Sequence, residues 1–375
     1  MLKRIIIIAV NALCFTGFFI CLGVSSSIKA PLRSQQAAAA WAGQSGERFS
    51  QISVFFPDGE GLDMDGIRSL QHSLNRALLA ESFESTEERI LFTDAWSAEA
   101  DITIISDRSP APTSAKAFAV GGDFFMFHPL NLRDGSYLSP NDVMKDRVVI
   151  DESLAWRLFG AIKVSGFEVL INNRPFVIAG VVSREDDFAS NKAYNYGAGL
   201  FMSYDALIDM TEGEAKIETY EAVLPDPISG FALSLLPVEI RGDDTAPTSA
   251  HIVENTTRFS LGKLFSIIGS FGERSMRTDG VQYPYWENAA RYAEDWLAFV
   301  LVLSLFFIAF PIVCAIFYTV KLIRFGVKVG IIAIKKLIDK KDKRSYEKYI
   351  LEHGEDGEAS YNVNDIIREV HDEIF

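Results

Sequence analysis

Two uncharged apolar stretches lie near opposite ends of this chain of 375 residues and enclose a long acidic segment. Ile5–Val24 contains 20 residues, and Leu297–Val320 contains 24. An α-helix rises about 1.5 Å per residue, so about 20 apolar residues cross a hydrocarbon core of roughly 30 Å. The pattern predicts two membrane-spanning helices, with the residues from about Ser25 to Asp295 on one side of the membrane.

Basic residues flank both stretches on the side away from the acidic segment. Lys3 and Arg4 precede the first stretch, and the second is followed by a run in which only Asp339 and Asp342 are acidic. The basic residues of that run are Lys321, Arg324, Lys328, Lys335, Lys336, Lys340, Lys341, Lys343 and Arg344. Because basic residues beside a membrane segment stay in the cytoplasm, we expect a two-pass protein of the cell membrane with both termini inside and the large domain outside.

The charge is unevenly distributed along the chain. The net charge is −14; Lys3 and Arg4 contribute +2 and the tail after Val320 is neutral, which leaves −16 for the residues between. A segment this acidic is a poor partner for nucleic acid. The basic part of the tail, interleaved with Ile331, Ile332 and Leu337, suits an interfacial helix on anionic lipid. A plain solvated helix is the alternative.

Cysteine usage restricts how the outer segment is stabilised. Cys14, Cys21 and Cys314 all fall within the apolar stretches, so no disulfide framework connects the acidic segment. About 270 residues are enough for a core of its own. The first stretch also resembles a cleavable secretory signal, but its length and the lack of a clean small-x-small site close behind it favour a retained anchor.

Hydrophobic periodicity indicates an outer domain of mixed α and β structure. Ile67, Leu70, Leu74 and Leu78 recur at helical spacing, with Asp65 placed to cap the helix. Strands are predicted at 51–56, 101–105, 147–150, 168–171, 175–182 and 218–224. The helix-forming segment from Pro31 to Trp41 is expected to continue the first span as a stalk.

These patterns predict an α+β extracytoplasmic domain between two transmembrane α-helices. The predicted segments are a cytoplasmic N-terminus (1–4), the first span (5–24), a stalk (25–50), a core domain (51–210) and a second part of the outer domain (211–282). They continue with a juxtamembrane aromatic helix (283–296), the second span (297–320) and a cytoplasmic tail (321–375).

Five short motifs follow one another in the middle of the chain. In order they are Val120-Gly121-Gly122-Asp123-Phe124-Phe125, Leu132-Arg133-Asp134-Gly135, Leu154-Ala155-Trp156-Arg157-Leu158-Phe159-Gly160, Ser165-Gly166-Phe167 and Phe176-Val177-Ile178-Ala179-Gly180-Val181-Val182. A helix is expected to open at Ser139–Asp142, between the second and third motifs. Gly160 suits a helix end, and Gly166 and Asn172-Asn173 suit turns around a hairpin. These residues therefore suit a structural scaffold, with Phe159 and Phe176 expected to be buried.

The order of these motifs resembles the MacB-like periplasmic core domain of ABC transporter permeases in the MacB and FtsX superfamily. The resemblance covers about Ile52 to Leu207 and the helix before it. It implies a permease-like subunit whose partners are an ABC ATPase and a further permease subunit. The chain departs from the pattern at Ser136, where arginine is frequent, and before the Ser165-Gly166 turn, where no proline stands.

Two further departures bear on function. The family typically has four membrane helices, whereas this sequence predicts two. It contains no G-x-x-x-x-G-K-[ST] phosphate loop, so we expect ATP hydrolysis to come from another chain.

Aromatic residues precede the second span. Tyr285, Trp286, Tyr292 and Trp296 are predicted to lie at a membrane interface. Glu287 with Arg291, and Arg291 with Asp295, have the spacing of helical ion pairs. This segment is interpreted as a helix that couples the outer domain to the span, with an inert aromatic belt as the alternative. Pro311 is expected to kink the span.

The other candidate sites are better explained by structural roles than by binding or catalysis. Asp58, Glu60, Asp63 and Asp65 do not have calcium-loop spacing, and helix capping explains them better. His128 has no second histidine or cysteine nearby and is interpreted as a packed or surface residue. No nucleophile with a legible base is present, so we expect no enzymatic activity, no cofactor and no metal.

Two functions remain compatible with the sequence. One is a transmembrane subunit of an ABC transport or mechanotransmission complex. The other is a membrane-anchored interaction or assembly protein that transports nothing.

Overall fold

The structure is a computed structural model that describes residues 2–83, 90–140, 142–194, 197–242, 249–270, 277–278 and 281–353. Contacts divide the chain into two units. The first comprises Met1–Phe15 and Phe307–Phe375, and the second comprises Thr16–Phe306. Within the first unit, the Asn11 side chain donates hydrogen bonds to the Ile7 carbonyl at 2.8 Å and to Cys314 Sγ at 3.6 Å.

Helices account for both ends of the chain and for most connections between strands. They are α1 (Leu2–Lys29), α2 (Ala37–Ala42), α3 (Met64–Ala80), α4 (Phe124–Phe127), α5 (Glu152–Phe159), α6 (Ser190–Ala193), α7 (Tyr204–Met210), α8 (Phe231–Ser234), α9 (Val238–Arg241), α10 (Leu261–Gly269) and α11 (Tyr285–His353), with a 3-10 turn at Arg33–Gln35.

The strands are β1 (Phe49–Phe55), β2 (Thr93–Ser106), β3 (Ser109–Gly122), β4 (Asn131–Gly135), β5 (Arg147–Asp151), β6 (Glu168–Ile171), β7 (Arg174–Ser183), β8 (Gly199–Ser203), β9 (Thr219–Pro225), β10 (His251–Glu254), β11 (Arg277–Thr278) and β12 (Val281–Gln282). In the described part of the chain, the main sheet has ten strands in the order β10-β1-β9-β2-β3-β8-β5-β7-β4, and β6 pairs with both β2 and β7. The β3–β8 and β5–β7 pairs are parallel.

The two predicted parts of the outer domain, 51–210 and 211–282, both contribute strands to the main sheet. Strand β9, which follows residue 210, lies between β1 and β2, and β10 pairs with the free side of β1. Residues from both predicted parts therefore build one sheet.

One face of the sheet, here called the α3 face, is filled with aliphatic side chains. Helix α3 contributes the predicted stripe Ile67, Leu70, Leu74 and Leu78, all buried. Helices α5 and α7 to α9 complete the same cluster. The predicted helix cap, Asp65, is wrong by two residues. The Asp63 carboxylate caps the helix instead and accepts from the Gly66 amide at 2.8 Å. This hydrogen bond lowers the pKa of Asp63.

The motif residues occupy structural positions. Gly160 ends α5 in a left-handed conformation, and Asn172-Asn173 form the turn of the β6–β7 hairpin with φ values of 48° and 65°. β4 crosses β7 so closely at Gly135 and Gly180 that a Cβ on Gly180 would lie 2.4 Å from the Ser136 carbonyl oxygen. Glycine is therefore required at this crossing.

Two of the local predictions are wrong. The segment after α1 does not continue as a stalk: the helix ends at Lys29, and Leu32, Ala37 and Ala38 pack onto the sheet. Non-helical backbone occupies Ser139, Pro140 and Asp142, where the Ser139 amide donates to the Asp142 carboxylate at 3.1 Å. This local bond favours a turn over the predicted helix.

The last helix joins three predicted segments into one element. α11 runs without interruption from Tyr285 through Pro311 to His353, so the helix assignment shows no break at the proline. Its residues from Lys321 to Ser345 are exposed apart from Gly330. Both α1 and residues 285–345 of α11 contain a stretch that is long and apolar enough to cross a membrane.

Candidate functional site

The first turns of α11 belong to the core of the outer domain. Together with α2, α4 and α6 they cover the second face of the sheet, here called the α11 face. Tyr285 is 3 % exposed and Trp286 is 2 % exposed, and both rings pack edge-on or tilted against Phe118 at 5.7 and 5.9 Å between centroids. The prediction that these two aromatics lie at a membrane interface is therefore wrong, because the sheet covers them.

The other two predicted interface aromatics lie one to three turns later. Tyr292 is half-buried and Trp296 is 40 % exposed. The Phe188 ring contacts both, at 5.2 and 5.4 Å between centroids. Their position at a membrane interface stays a prediction.

A buried ion cluster connects α11 to the loop after β10. The Arg258 guanidinium is 4 % exposed and forms two hydrogen bonds with the Glu287 carboxylate, at 2.6 and 2.7 Å. Its Nε donates to Glu294 at 2.6 Å. Glu287 also accepts from Arg291 at 2.8 Å, which is the predicted i,i+4 pair. We call Arg258, Glu287, Arg291 and Glu294 the Arg258 cluster.

Hydrogen bonds extend this cluster to the segment that follows α1. The Gln35 side-chain oxygen accepts from Arg258 at 3.1 Å and from Asn255 at 2.9 Å. The Gln51 side chain in β1 donates to the Ser34 carbonyl at 2.7 Å and accepts from the Ala37 amide at 3.0 Å. The segment that follows α1 is therefore held to the same polar site as the first turns of α11.

The same hydrogen-bonded network reaches the centre of the sheet. The Ser53 hydroxyl contacts Asn255 Oδ1 at 3.1 Å and donates to Glu221 at 2.8 Å. The other Glu221 oxygen contacts His128 Nε2 directly, and the His128 ring packs on Trp286 at 4.3 Å. His128 is 3 % exposed, so of the two predicted environments it occupies the packed one.

A histidine borders the cluster. Arg291 lies over the Tyr283 ring, 3.7 Å from the ring centroid, and its guanidinium contacts His251 Nδ1 at 3.2 Å. Burial lowers the pKa of His251, and the Arg291 charge lowers it further. A neutral imidazole is therefore favoured beside the guanidinium.

Charge compensation determines the protonation states within the cluster. Burial alone raises the pKa of Glu287, but the Arg258 and Arg291 charges outweigh burial and hold it below its usual value. Burial likewise disfavours the charged form of Arg258, yet Glu287 and Glu294 raise its pKa. Glu287 and Arg258 are thus ionised at neutral pH, and each of these two buried charges depends on the other.

The remaining predicted site residues are distributed over the scaffold. Phe124, Ala155, Leu158, Phe176 and Val181 are buried. Phe125 is half-buried and stacks on Tyr137 at 4.7 Å. Gly121 lies against Trp96, where a Cβ would come within 2.3 Å of the indole. Gly166 has a φ of 84° in its turn.

Phe159 and the basic tail differ in exposure from this core group. Phe159 is only half-buried, packed edge-on against Phe167 at 5.4 Å, so the prediction that it is buried is confirmed only in part. The predicted lipid-binding residues Lys321, Arg324, Lys335 and Lys336 are exposed on α11.

Sequence patterns revealed only part of the Arg258 cluster. The Glu287–Arg291 spacing was visible, but Arg258, Gln35 and Asn255 carry no motif. One usable signal is the position of Glu287 and Glu294 on an alanine-rich helix face, since Ala289, Ala290 and Ala293 are buried. Carboxylates between buried alanines require a buried cation beside them. The pattern therefore predicts a basic partner residue but not its position in the sequence.

The arrangement holds together three segments that are distant in the sequence. Among the described residues, no three His, Cys, Asp or Glu side chains are grouped so as to hold a metal ion. Buried pairs with several mutual hydrogen bonds resist separation, because one unpaired charge in the interior is strongly unfavourable. The cluster therefore joins the end of α1, the sheet and the start of α11.

The fold and the two apolar helices define a membrane-associated protein with a mixed α/β extracytoplasmic-type domain. A family model for the MacB-like periplasmic core domain matches residues 5–239. This match covers more than half of the chain, and the chain belongs to this family of ABC-transporter permease-type proteins. Arg258 and the start of α11 lie beyond the matched range.

One relative and two solved structures are similar to parts of this chain. The macrolide export ATP-binding/permease protein MacB of Aggregatibacter actinomycetemcomitans is 24 % identical over 229 residues, which are 58 % of this chain and 34 % of that protein. The chain thus spans about a third of the length of this relative. The periplasmic region of MacB from Actinobacillus actinomycetemcomitans aligns with a TM-score of 0.40 and 18 % identity, over 60 % of this chain and 94 % of that one. The extracellular domain of the noncanonic ABC-type transporter YknZ from Gram-positive bacteria aligns with a TM-score of 0.36 and 14 % identity, over 54 % and 100 % of the two chains.

Proposed function

We propose that the chain is a permease-like subunit of an ABC transport or mechanotransmission complex. In this proposal the outer domain binds a substrate or partner, a separate subunit hydrolyses ATP, and the chain itself catalyses no reaction. Family membership supports the general class. The observation that carries the mechanical part is the Arg258 cluster, in which Gln35 after α1 and Glu287 of α11 share one guanidinium.

The mechanism follows from the contacts of the cluster. A displacement of α11 along or across the membrane moves Glu287 and Glu294, and through Arg258 it moves Gln35 and Asn255. Asn255 is in turn linked through Ser53 to Glu221 in the sheet. Motion of the spans therefore reaches the outer domain as a unit, provided that the cluster stays intact.

The proposed topology has both termini in the cytoplasm. Its support is the basic charge at Lys3, Arg4 and the start of the tail. Single cysteines at the exposed positions Ser69 and Ser139 should be labelled by an impermeant maleimide in cells whose outer face is accessible, and one at Ser345 should not. Labelling at Ser345 without lysis would contradict the topology.

Capture of an ATPase tests the subunit assignment. The purified chain should show no ATP hydrolysis alone, and in mild detergent it should retain an ATP-binding subunit through its cytoplasmic tail. Lys335→Glu with Lys336→Glu should weaken this capture if the basic surface is the contact. Lys335→Arg with Lys336→Arg preserves the charge and serves as the matched control.

The alternative function has a distinct outcome. Recovery of the chain with other extracytoplasmic proteins, and with no ATPase under any mild extraction, would favour a membrane-anchored assembly protein. The same outer domain and the same Arg258 cluster would then serve to present a fixed binding surface.

A further inference from the structure

Helix α10 carries large apolar side chains on two sides. Leu264 and Ile267 are buried, whereas Leu261 is 65 % exposed and Phe265 is 50 % exposed. The polar residues Lys263, Ser266 and Ser270 follow one another at three- and four-residue spacing, which places them along one remaining side. A helix apolar over so much of its surface suits a protein interior or a membrane.

The buried side of α10 packs on the beginning of the second span. Leu264 and Ile267 form one cluster with Leu297 and Ala298, and Leu301 and Ile28 pack against it. Leu297 is the first residue of the predicted apolar stretch, and Ile28 lies in the last turn of α1. α10 therefore lies at the level where the apolar helices meet the outer domain.

Aromatic residues mark the same level of α11. Trp296 contacts Phe188 at 5.4 Å and Phe299 at 6.0 Å between ring centroids, and all three side chains are 40 % exposed or more. Tryptophan is enriched where acyl chains meet headgroups, so Trp296 marks that level. Leu261 and Phe265 of α10 and Phe299 of α11 are thus exposed apolar residues on two helices that pack together.

Charge is sparse in this helix although the surrounding domain is acidic. Lys263 is the only charged residue between Leu261 and Ser270. A single lysine on the polar side of a short apolar helix can extend its ammonium to the headgroups while its stem stays against apolar groups. The low charge and the apolar surface of α10 together favour lipid as the partner of this helix.

We propose that α10 is an interfacial helix whose exposed residues Leu261 and Phe265 insert into the bilayer leaflet nearest the outer domain, so that its partner is lipid. The inference rests on the proposed insertion of α11 in a bilayer. Interfacial helices bury their apolar side about 5–10 Å below the headgroup boundary. The helix then braces the outer domain against the membrane at the point where α11 enters it.

Site-specific fluorescence in liposomes tests this contact on the full-length chain. Cys14, Cys21 and Cys314 are replaced by alanine, and an environment-sensitive NBD label is attached at Leu261→Cys or Phe265→Cys. Two control sites frame the result: Val302→Cys in the span, 44 % exposed, and Ile228→Cys in the outer domain, 74 % exposed. Nitroxide lipids quench the label, carried either near the headgroup or near the end of the acyl chain.

The expected result is quenching at positions 261 and 265 by at least about twofold, stronger for the nitroxide near the headgroup. Val302 should also be quenched, and Ile228 should not. Water-like emission without quenching at both α10 sites, with Val302 still quenched, would overturn the interfacial helix alone. Blue-shifted emission without quenching would overturn it in favour of a protein covering. Loss of quenching at Val302 would remove the span assignment on which the inference rests, and the inference with it.

Discussion

The two faces of the sheet are both buried but by different chemistry. The α3 face is closed by helices α3, α5 and α7 to α9, and its cluster is mainly aliphatic, with Ile67, Leu74 and Leu154 fully buried. The α11 face is closed by α2, α4, α6 and the first turns of α11, and it contains aromatic rings and the Arg258 cluster. Aliphatic packing tolerates small adjustments of the side chains. A buried ion pair does not, because any arrangement that separates the two charges is strongly destabilising.

This difference suggests a division of roles. The α3 face stabilises the domain, and the α11 face specifies how the domain is attached to its membrane helices. The two roles can be separated experimentally, since substitutions on the two faces have comparable costs in stability but should differ in their effect on a partner ATPase.

The largest effect is expected for Arg258→Met. Removing the guanidinium leaves Glu287 and Glu294 buried without their shared cation, which typically costs about 3–5 kcal/mol. The free energy of unfolding from urea titration in detergent should fall by this amount. Arg68→Met, which removes an exposed pair with Asp65, is the matched control and should cost less than about 1 kcal/mol. Equal effects of the two substitutions would show that the cluster is not ionised and buried.

Leu154→Ala addresses the opposite face. Leu154 is fully buried on the α3 face, so truncation should cost about 2–5 kcal/mol. At a temperature where both variants are folded, the ATP hydrolysis rate of the captured complex should change for Arg258→Met and stay near wild type for Leu154→Ala. A similar change for both would mean that stability, rather than the identity of the face, controls coupling.

Acid should weaken the α11 face selectively. The folded-state pKa of Glu287 lies below its unfolded value near 4.5, so its contribution is present above pH 4.5 and is lost as the pH falls through the folded-state pKa. The difference in unfolding free energy between wild type and Glu287→Gln should therefore shrink on acidification, by about 1.4 kcal/mol per unit of pKa shift. A difference that stays constant from pH 7 to below pH 4 would contradict the assigned charge state.

The pKa of Glu99 is shifted in the opposite direction from that of Glu287, and we expect a smaller effect on stability. Burial raises its pKa to about 7, while its contact with Lys116, at 3.9 Å, lowers it only in part. The ionised form is therefore unfavourable in the folded state above pH 7. Glu99→Gln should stabilise the chain by on the order of 1 kcal/mol at pH 8, and it should lose this advantage below pH 4.5, where the folded and unfolded states both bind the proton. Destabilisation at pH 8 would show that the Lys116 contact dominates.

The periodic elements were accessible from sequence because their signals are local. The α3 stripe, the six predicted strands and the β6–β7 turn all follow from side-chain spacing and turn residues. Local hydrogen bonds also explain the errors at Asp65 and at Ser139–Asp142. In both places a bond between residues three apart in the sequence decides whether the segment forms a cap, a turn or a helix. The sequence pattern did not indicate that β9 would lie between β1 and β2, since strand order depends on pairing between distant segments.

By itself the sequence determined the class of protein: two apolar stretches, a cysteine-free acidic segment and a succession of motifs that place the chain in the MacB-like family. Only the tertiary structure decided that Tyr285 and Trp286 are core residues instead of interface aromatics, and that Arg258 joins Gln35 to Glu287. The physical reason is the range of the interactions. Apolarity and periodicity act along the chain and are read residue by residue, whereas a buried charge acquires its partner only when segments more than two hundred residues apart, such as Gln35 and Arg258, are brought into contact.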